Sequence, residues 1–324
     1  MKLIKKLRFM LSSAKKAGII YNQFTDDDFE TNRLLGEIIR NTHSIEKGLS
    51  LENVRLGFGY AKIKDAASII KAFGRLNGTI DVEQVRMFAD ALGDYVEFHR
   101  RKNYNSEHFE EIVKIHEEIS SGISGAGGYG GTMKVARPAY SSAEVEAVSR
   151  VINDRHSVRE FEKTPVSETD LRAAISLAMR CPSACNRQCY RVTIIEKTEL
   201  DLLDGWLEGV GGFADELDKM LLITGRISDY RLGEAFQYVV TPSVFAAYLT
   251  ITLQLYGIGC CFIQRNVMPN EKYSEVAKRL NIPADEQAVC ILGIGNLKEE
   301  FVVPVSHRLP YDAIVRRVVR HENV

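Results

Sequence analysis

The stretch CPSACNRQCY, from Cys181 to Tyr190, follows by about twenty residues a second one, RHSVREF, from Arg155 to Phe161. Each alone is an ordinary loop. Together they set two cations and a hydroxyl (Arg155, Ser157, Arg159) near a second loop carrying Ser183, Asn186 and Gln188. Guanidinium groups hold phosphate oxygens through paired charge-assisted hydrogen bonds, and a serine between them adds a short donor. The combination suits a cofactor that bears both a phosphate and a ring. On spacing alone, an exposed turn in which the arginines pair with Glu160 and Glu162 is the competing reading, because such charge runs are usually solvated.

Around these loops helices and strands are interspersed. Residues 142–154 and 167–180 read as helices, the second with Ser167 as N-cap and Asp170 in its first turn. Residues 190–196 alternate and are rich in β-branched side chains, the mark of a strand. Residues 219–224 and 288–293 are two further short apolar runs, and helices are expected at 198–208, 234–256 and 270–280, with Pro242 beginning or bending the long one. The uncharged run 235–264 is longer than the ~20 residues of a membrane span. Gln237, Thr241, Pro242, Ser243, Thr250, Thr252 and Gln254 interrupt it, and no basic cluster flanks it, so it reads as a buried core helix at a subunit interface.

Residues 29–120 are helical in pattern, with apolar residues at three- and four-residue spacing in Leu34, Leu35, Ile38, Ile39 and again in Phe109, Ile112, Val113, Ile115, Ile119. HSIEKGLS, from His43 to Ser50, reads as a polar loop between helices, with His43 and Glu46 as a local structural pair. SGISGAGGYGG, Ser121 to Gly131, reads as a linker. Its GAGGYG matches the G-x-G-x-x-G dinucleotide fingerprint by letter, but that motif must leave a strand and open a helix. Here a helical pattern precedes and a Pro138-containing segment follows. The expected organisation is a helical region 1–120, a Gly-rich linker 121–140 and a second domain 141–324.

The 324 residues carry a net charge of −1, which gives no global pull toward nucleic acid. Six cysteines in a chain this long do not make a disulfide framework, and a reducing cytoplasm is the expected setting. Cys181, Cys185 and Cys189 are spaced C-x3-C-x3-C, unlike the C-x2-C pairs of zinc and ferredoxin-type sites, so they read as packing residues and no metal site is expected. Lys2, Lys5, Lys6, Arg8, Lys15 and Lys16 precede the first acid, Asp26, and interleave with Leu3, Ile4, Leu7, Phe9, Met10 and Leu11. Such a basic amphipathic helix either lies on an anionic membrane surface or packs on its own domain or a dimer partner.

Over residues 145–315 the chain resembles the nitroreductase-like flavoproteins, whose signature reads R-x-S-x-R/K-x-F followed by P-S-x-x-N-x-Q. The resemblance implies an α+β, three-layer fold with a central mixed sheet flanked by helices, preceded here by the all-helical N-terminal region. It implies bound FMN at a homodimer interface. Arg155, His156 and Ser157 would lie at the phosphate and Arg159 at the N1/O2 edge of the ring. Pro182, Ser183, Ala184, Asn186 and Gln188 would face the ring, often across the dimer interface. Departures from the family pattern are Cys185 for a common Gly, which could change the loop's backbone shape, Cys189 for Pro and Tyr190 for Trp. SVFAAYLTITLQLYGIGCCFI resembles the family's long core helix and the segment beside flavin N5, placing Ile263, Gln264 and Arg265 there. The last two replace small or acidic residues and would narrow the acceptor pocket. HRLP, from His307, makes Arg308 a second phosphate anchor by the same resemblance.

The expected function is that of an FMN oxidoreductase: NADH or NADPH reduces the flavin, and the flavin reduces a nitro compound, quinone, enone or biosynthetic intermediate. No protein nucleophile is required, because the cofactor carries the chemistry. Two alternatives stand beside it. One is a binding or assembly protein working through its N-terminal helices on a retained flavin-fold scaffold. The other is a flavin oxidase or dehydrogenase that does not use NAD(P)H.

Overall fold

The computed structural model describes residues 2–125, 127–234, 236–263 and 271–318. Five helices come first: α1 Lys2–Thr25, α2 Glu30–Leu49, α3 Tyr60–Asn77, α4 Glu83–Arg101 and α5 Glu107–Ser121. Ile38 and Ile45 of α2, Ile63 and Ile70 of α3, Phe88 and Leu92 of α4 and Phe109 and Ile112 of α5 meet in one core. Their three- to four-residue periodicity is what turns one apolar stripe of each helix inward. HSIEKGLS belongs to this bundle as the last two turns of α2 and is not a loop. Ile45 is buried there, and the polar residues around it occupy the helix's outer face, which is why the segment imitates a loop. The expected His43–Glu46 pair forms, at 3.3 Å.

Beyond α5 the described residues of the glycine-rich segment have no regular structure, yet the segment is anchored. Asp90 Oδ2 accepts from the Tyr129 and Gly130 amides at 2.8 and 3.3 Å, Asp94 Oδ2 from Thr132 N at 2.7 Å, and Glu46 Oε1 from Gly131 N at 3.2 Å. At Gly130 a Cβ would stand 2.2 Å from Met87 O. The amides that imitate a phosphate loop are thus turned onto carboxylates of α2 and α4, and the segment is a strap across the bundle more than a free linker.

Beyond the strap come α6 Ser142–Asp154, α7 Glu168–Ala178, β1 Tyr190–Glu196, β2 Lys219–Arg226, α8 Gln237–Leu255, β3 Ile258–Ile263, α9 Glu271–Arg279, β4 Glu286–Asn296 and α10 Tyr311–Ile314. The fold is α+β. Ser167 caps α7 by accepting from Asp170 N, as its position predicts, while residues 198–208 form a 3-10 stretch (Lys197–Leu203) and then irregular chain instead of a helix. The sheet order is β1-β2-β4-β3 with every neighbouring pair antiparallel. Among the described residues the expected mixed character survives only in an isolated parallel bridge, Ser157 to Cys260. Leu221, Ile223, Leu292 and Ile294 point into a core with α7 and α8. Met220, Leu222 and Ile291 point into another with Leu203, Trp206 and α9. Buried on both faces, β2 and β4 read as unbroken apolar runs.

The uncharged run is two elements. Gly257, with φ 69°, turns the chain out of α8 and straight into β3, which a single core-helix reading misses. α8 buries Phe245, Ala246, Leu249 and Leu253, while Val240, Tyr248 and Leu255 stay exposed. Pro242 lies inside α8 and has no N–H to give the Tyr238 carbonyl. β2 approaches that carbonyl so closely at Gly225 that a Cβ would sit 1.8 Å from the oxygen.

Candidate functional site

Arg155 ends α6 by turning to extended backbone (φ −71°, ψ 115°), and the chain then runs along the outer edge of β3. Val158 N donates to Cys260 O at 3.0 Å beside the Ser157 bridge, and Glu162 N donates to Asn296 O at 2.9 Å. Between these two points Phe161 is fully buried against Gly259 and Gly295, where Cβ atoms would come within 3.1 and 2.5 Å of its ring. The turn is therefore clamped at both ends and in the middle.

Arg155, His156 and Ser157 are half-buried on this turn and Arg159 is exposed. Glu160 pairs with Lys298 at 3.3 Å, not with an arginine of its own turn. Among the described residues neither Arg155 nor Arg159 has a carboxylate partner. Arg159 Nη1 reaches Ser157 O at 3.5 Å, and its guanidinium lies 5.7 Å from the centre of the Phe213 ring. Both cations are felt at β3. Burial pushes the Cys260 thiol up to about 12 against the pull of Arg155, and raises Cys261 against that of Arg159. Ile263 closes β3, buried, three residues and about 10 Å beyond Cys260. Gln264 and Arg265 lie outside the described residues.

The second loop is built on left-handed backbone. Cys185, Asn186 and Gln188 have φ of 53°, 56° and 46°. Cys185 thus adopts the conformation a glycine would supply, and the loop's shape is held in place by other means. Ser183 Oγ accepts from Gln188 N at 3.3 Å, Gln188 Nε2 donates to Asn186 O and Oδ1 at 3.3 and 3.2 Å, and Ala184 N reaches Thr241 Oγ1 at 3.5 Å. Pro182 and Asn186 are exposed; Ser183, Ala184 and Gln188 are half-buried. Cys181 and Cys189 are buried in two different cores, as packing residues would be.

The two loops do not meet within the chain. Cys260 stands in register with Ile294, Lys219 and Glu196, at one end of the sheet's β3 edge, whereas Gln188 leads into Tyr190 at the other end of β1, the opposite edge. Three strand spacings and six residues of rise place these corners about 24 Å apart. Arg308 is exposed, and its Nη1 donates to Ser306 O.

Residues 152–241, a span that contains both loops, match the model of the nitroreductase family. The C-terminal half of the chain carries a nitroreductase-family domain. An FMN-dependent nitroreductase from Clostridium difficile shares 20% identity, over 52% of this chain and 98% of its own, with a TM-score of 0.45. A nitroreductase family protein from Clostridium novyi shares 23%, over 47% and 86%, with a TM-score of 0.41. One from Streptococcus pneumoniae shares 17%, over 52% and 99%, with a TM-score of 0.44. No curated protein matches the chain.

What sequence reasoning missed in this domain is the anchor of its left-handed loop. Arg187 is fully buried, paired with Glu234 through bonds of 2.6 and 2.9 Å, bonded to Asp229 O and Ala184 O at 3.2 Å each, and stacked 4.1 Å over the Tyr230 ring. α2 supports that anchor from outside. Glu37 holds Arg231, Asn32 donates to Asp285 at 3.0 Å and accepts from Arg226 at 3.3 Å, and a Cβ at Gly36 would be 2.6 Å from Asp229 O. Burial would raise the Glu37 carboxyl, but hydrogen bonds from Arg231 and Arg40 bring it below its ordinary value. A cleft of about 380 Å³ remains between α2 and α4 on one side and Gln188, Arg191 and Phe245 on the other. No local sequence signal links Arg187 to Glu234, 47 residues away, or either to α2.

Proposed function

We propose that the nitroreductase-family domain is an FMN-dependent oxidoreductase working in the cytoplasm as a homodimer, with NADH or NADPH reducing the flavin and an organic acceptor reoxidising it. The observation that carries the reading is the clamped turn on β3. It presents two guanidinium groups and a serine with no carboxylate partner among the described residues, which is the donor set a phosphate and an electron-rich ring edge require. FMN, when bound, supplies the hydride chemistry. Arg155 and Ser157 hold its phosphate. Arg159 offers a fixed positive charge to the ring edge, where a preorganised cation favours added negative charge without reorganisation.

Two copies are needed because the two loops of one chain stand at opposite corners of the sheet. A partner would bring its Pro182–Gln188 loop to the β3 turn. Exposed apolar side chains are available to such a partner: Val145 and Val148 on α6, Val240 and Tyr248 on α8, and Val302, Val305 and Leu309 in the C-terminal segment.

The experiment is purification followed by visible spectroscopy and anaerobic reduction. The protein should be yellow, or become so with added FMN, and NADH or NADPH should bleach it. A colourless protein that stays empty in FMN refutes the flavin reading. A yellow one that neither nucleotide bleaches points to a flavin oxidase or dehydrogenase with another donor.

A further inference from the structure

We propose that α1 docks the protein on an anionic lipid bilayer, lying along the surface with its apolar stripe among the acyl chains. The argument starts from which face of α1 the protein itself uses. The last turns pack on the body: Phe24 and Gln23 are buried, and Ile20 and Phe24 lie against Cys189, Ile227, Tyr230 and Tyr238. Gln23 Nε2 also donates to Ala284 O. These three positions share one side of the helix.

The apolar stripe is elsewhere. Leu7, Met10, Leu11 and Tyr21 are 52, 58, 66 and 50% exposed, and Ala14 and Gly18 continue the same row. At about 100° per residue the centre of this row lies roughly 140° round the axis from the docked side. α1 therefore cannot fold its stripe onto its own domain while Phe24 stays buried, and its packing on its own domain is confined to the other side of the helix.

Charge selects the occupant. Residues 2–25 contain Lys2, Lys5, Lys6, Arg8, Lys15 and Lys16 and no acid. A second copy of the helix would set six more cations against these six and, like the first, would bring no acid of its own. An anionic headgroup layer attracts all of them, while long basic side chains extend from a half-sunk helix to the headgroups. The proposal is independent of the flavin reading, since it uses no residue of that site.

The test is flotation of the full chain with unilamellar vesicles. On vesicles with about 30% phosphatidylglycerol in phosphatidylcholine, partitioning should exceed that on pure phosphatidylcholine by at least about tenfold. It should fall by a similar factor when salt rises from about 0.05 to 0.5 M. The variant Leu7→Gln/Met10→Gln/Leu11→Gln, altered only at exposed positions, should keep the wild-type melting temperature and lose binding. Lys2→Glu/Lys6→Glu keeps the stripe and should lose the preference for anionic vesicles. Equal binding to both vesicle types, or wild-type binding by both variants, overturns the proposal. So does light scattering in which the wild type self-associates through α1, the triple variant does not, and neither floats.

Discussion

Replacing Arg187 by Met would test whether a buried ion pair, and not the loop's own sequence, shapes the segment that faces the flavin in the proposed site. Removing one partner of a buried pair costs about 3–5 kcal/mol. Glu234 keeps a third of its side chain exposed and can rehydrate, which brings the expected cost down to about 2–3 kcal/mol. Against this stand three left-handed residues, Cys185, Asn186 and Gln188, at about 1 kcal/mol each. Clamp and strain are of the same size, so without the clamp the loop relaxes. The apo protein should melt about 4–12 °C lower, at about 2–4 °C per kcal/mol, and FMN should bind more weakly. The difference should also depend on pH. Arg187 holds the Glu234 carboxyl below its ordinary value of 4.5, burial acting in the opposite sense. A depressed carboxyl contributes stability that is present above its unfolded value and lost as pH falls through the folded one, so the gap between wild type and variant should narrow below about pH 4.5. Differential scanning fluorimetry across pH 3.5–7, with FMN titration by fluorescence at the top of the range, measures all three. A melting temperature within 1 °C of wild type together with unchanged FMN affinity would refute the reasoning.

Arg155→Ala should weaken FMN binding roughly ten- to over a hundredfold, the loss of a charge-assisted bond worth about 1.5–3 kcal/mol; equal occupancy at limiting FMN counts against the phosphate assignment. Gly225→Ala puts a Cβ 1.8 Å from Tyr238 O and should cost about 1–3 kcal/mol as α8 shifts off β2, read as a lower urea midpoint with unchanged slope. An unshifted midpoint would mean that α8 yields freely at its proline.

Local signals in the sequence were enough for α7 with its Ser167 cap, for β1 over residues 190–196, and for the helical character of residues 29–120 outside HSIEKGLS. The loop motifs were equally legible as candidates, since Arg155, Ser157, Arg159 and the residues from Ser183 to Gln188 are defined by type and spacing. Periodicity, capping and composition act over a few residues and can be read there. What the tertiary structure alone decided is different in kind. β3 was hidden in an uncharged run because a strand buried beside an apolar helix has no contrast of its own, and only Gly257 divides them. HSIEKGLS reads as a loop because one buried isoleucine among polar residues is a weak stripe until α3 and α4 cover it. The Glu160–Lys298 and Arg187–Glu234 pairs, the strap of glycine amides on Asp90 and Asp94, and the separation of the two loops to opposite corners of the sheet all join residues distant in sequence. Such contacts depend on strand order and register, which the chain settles only when its apolar faces are buried together.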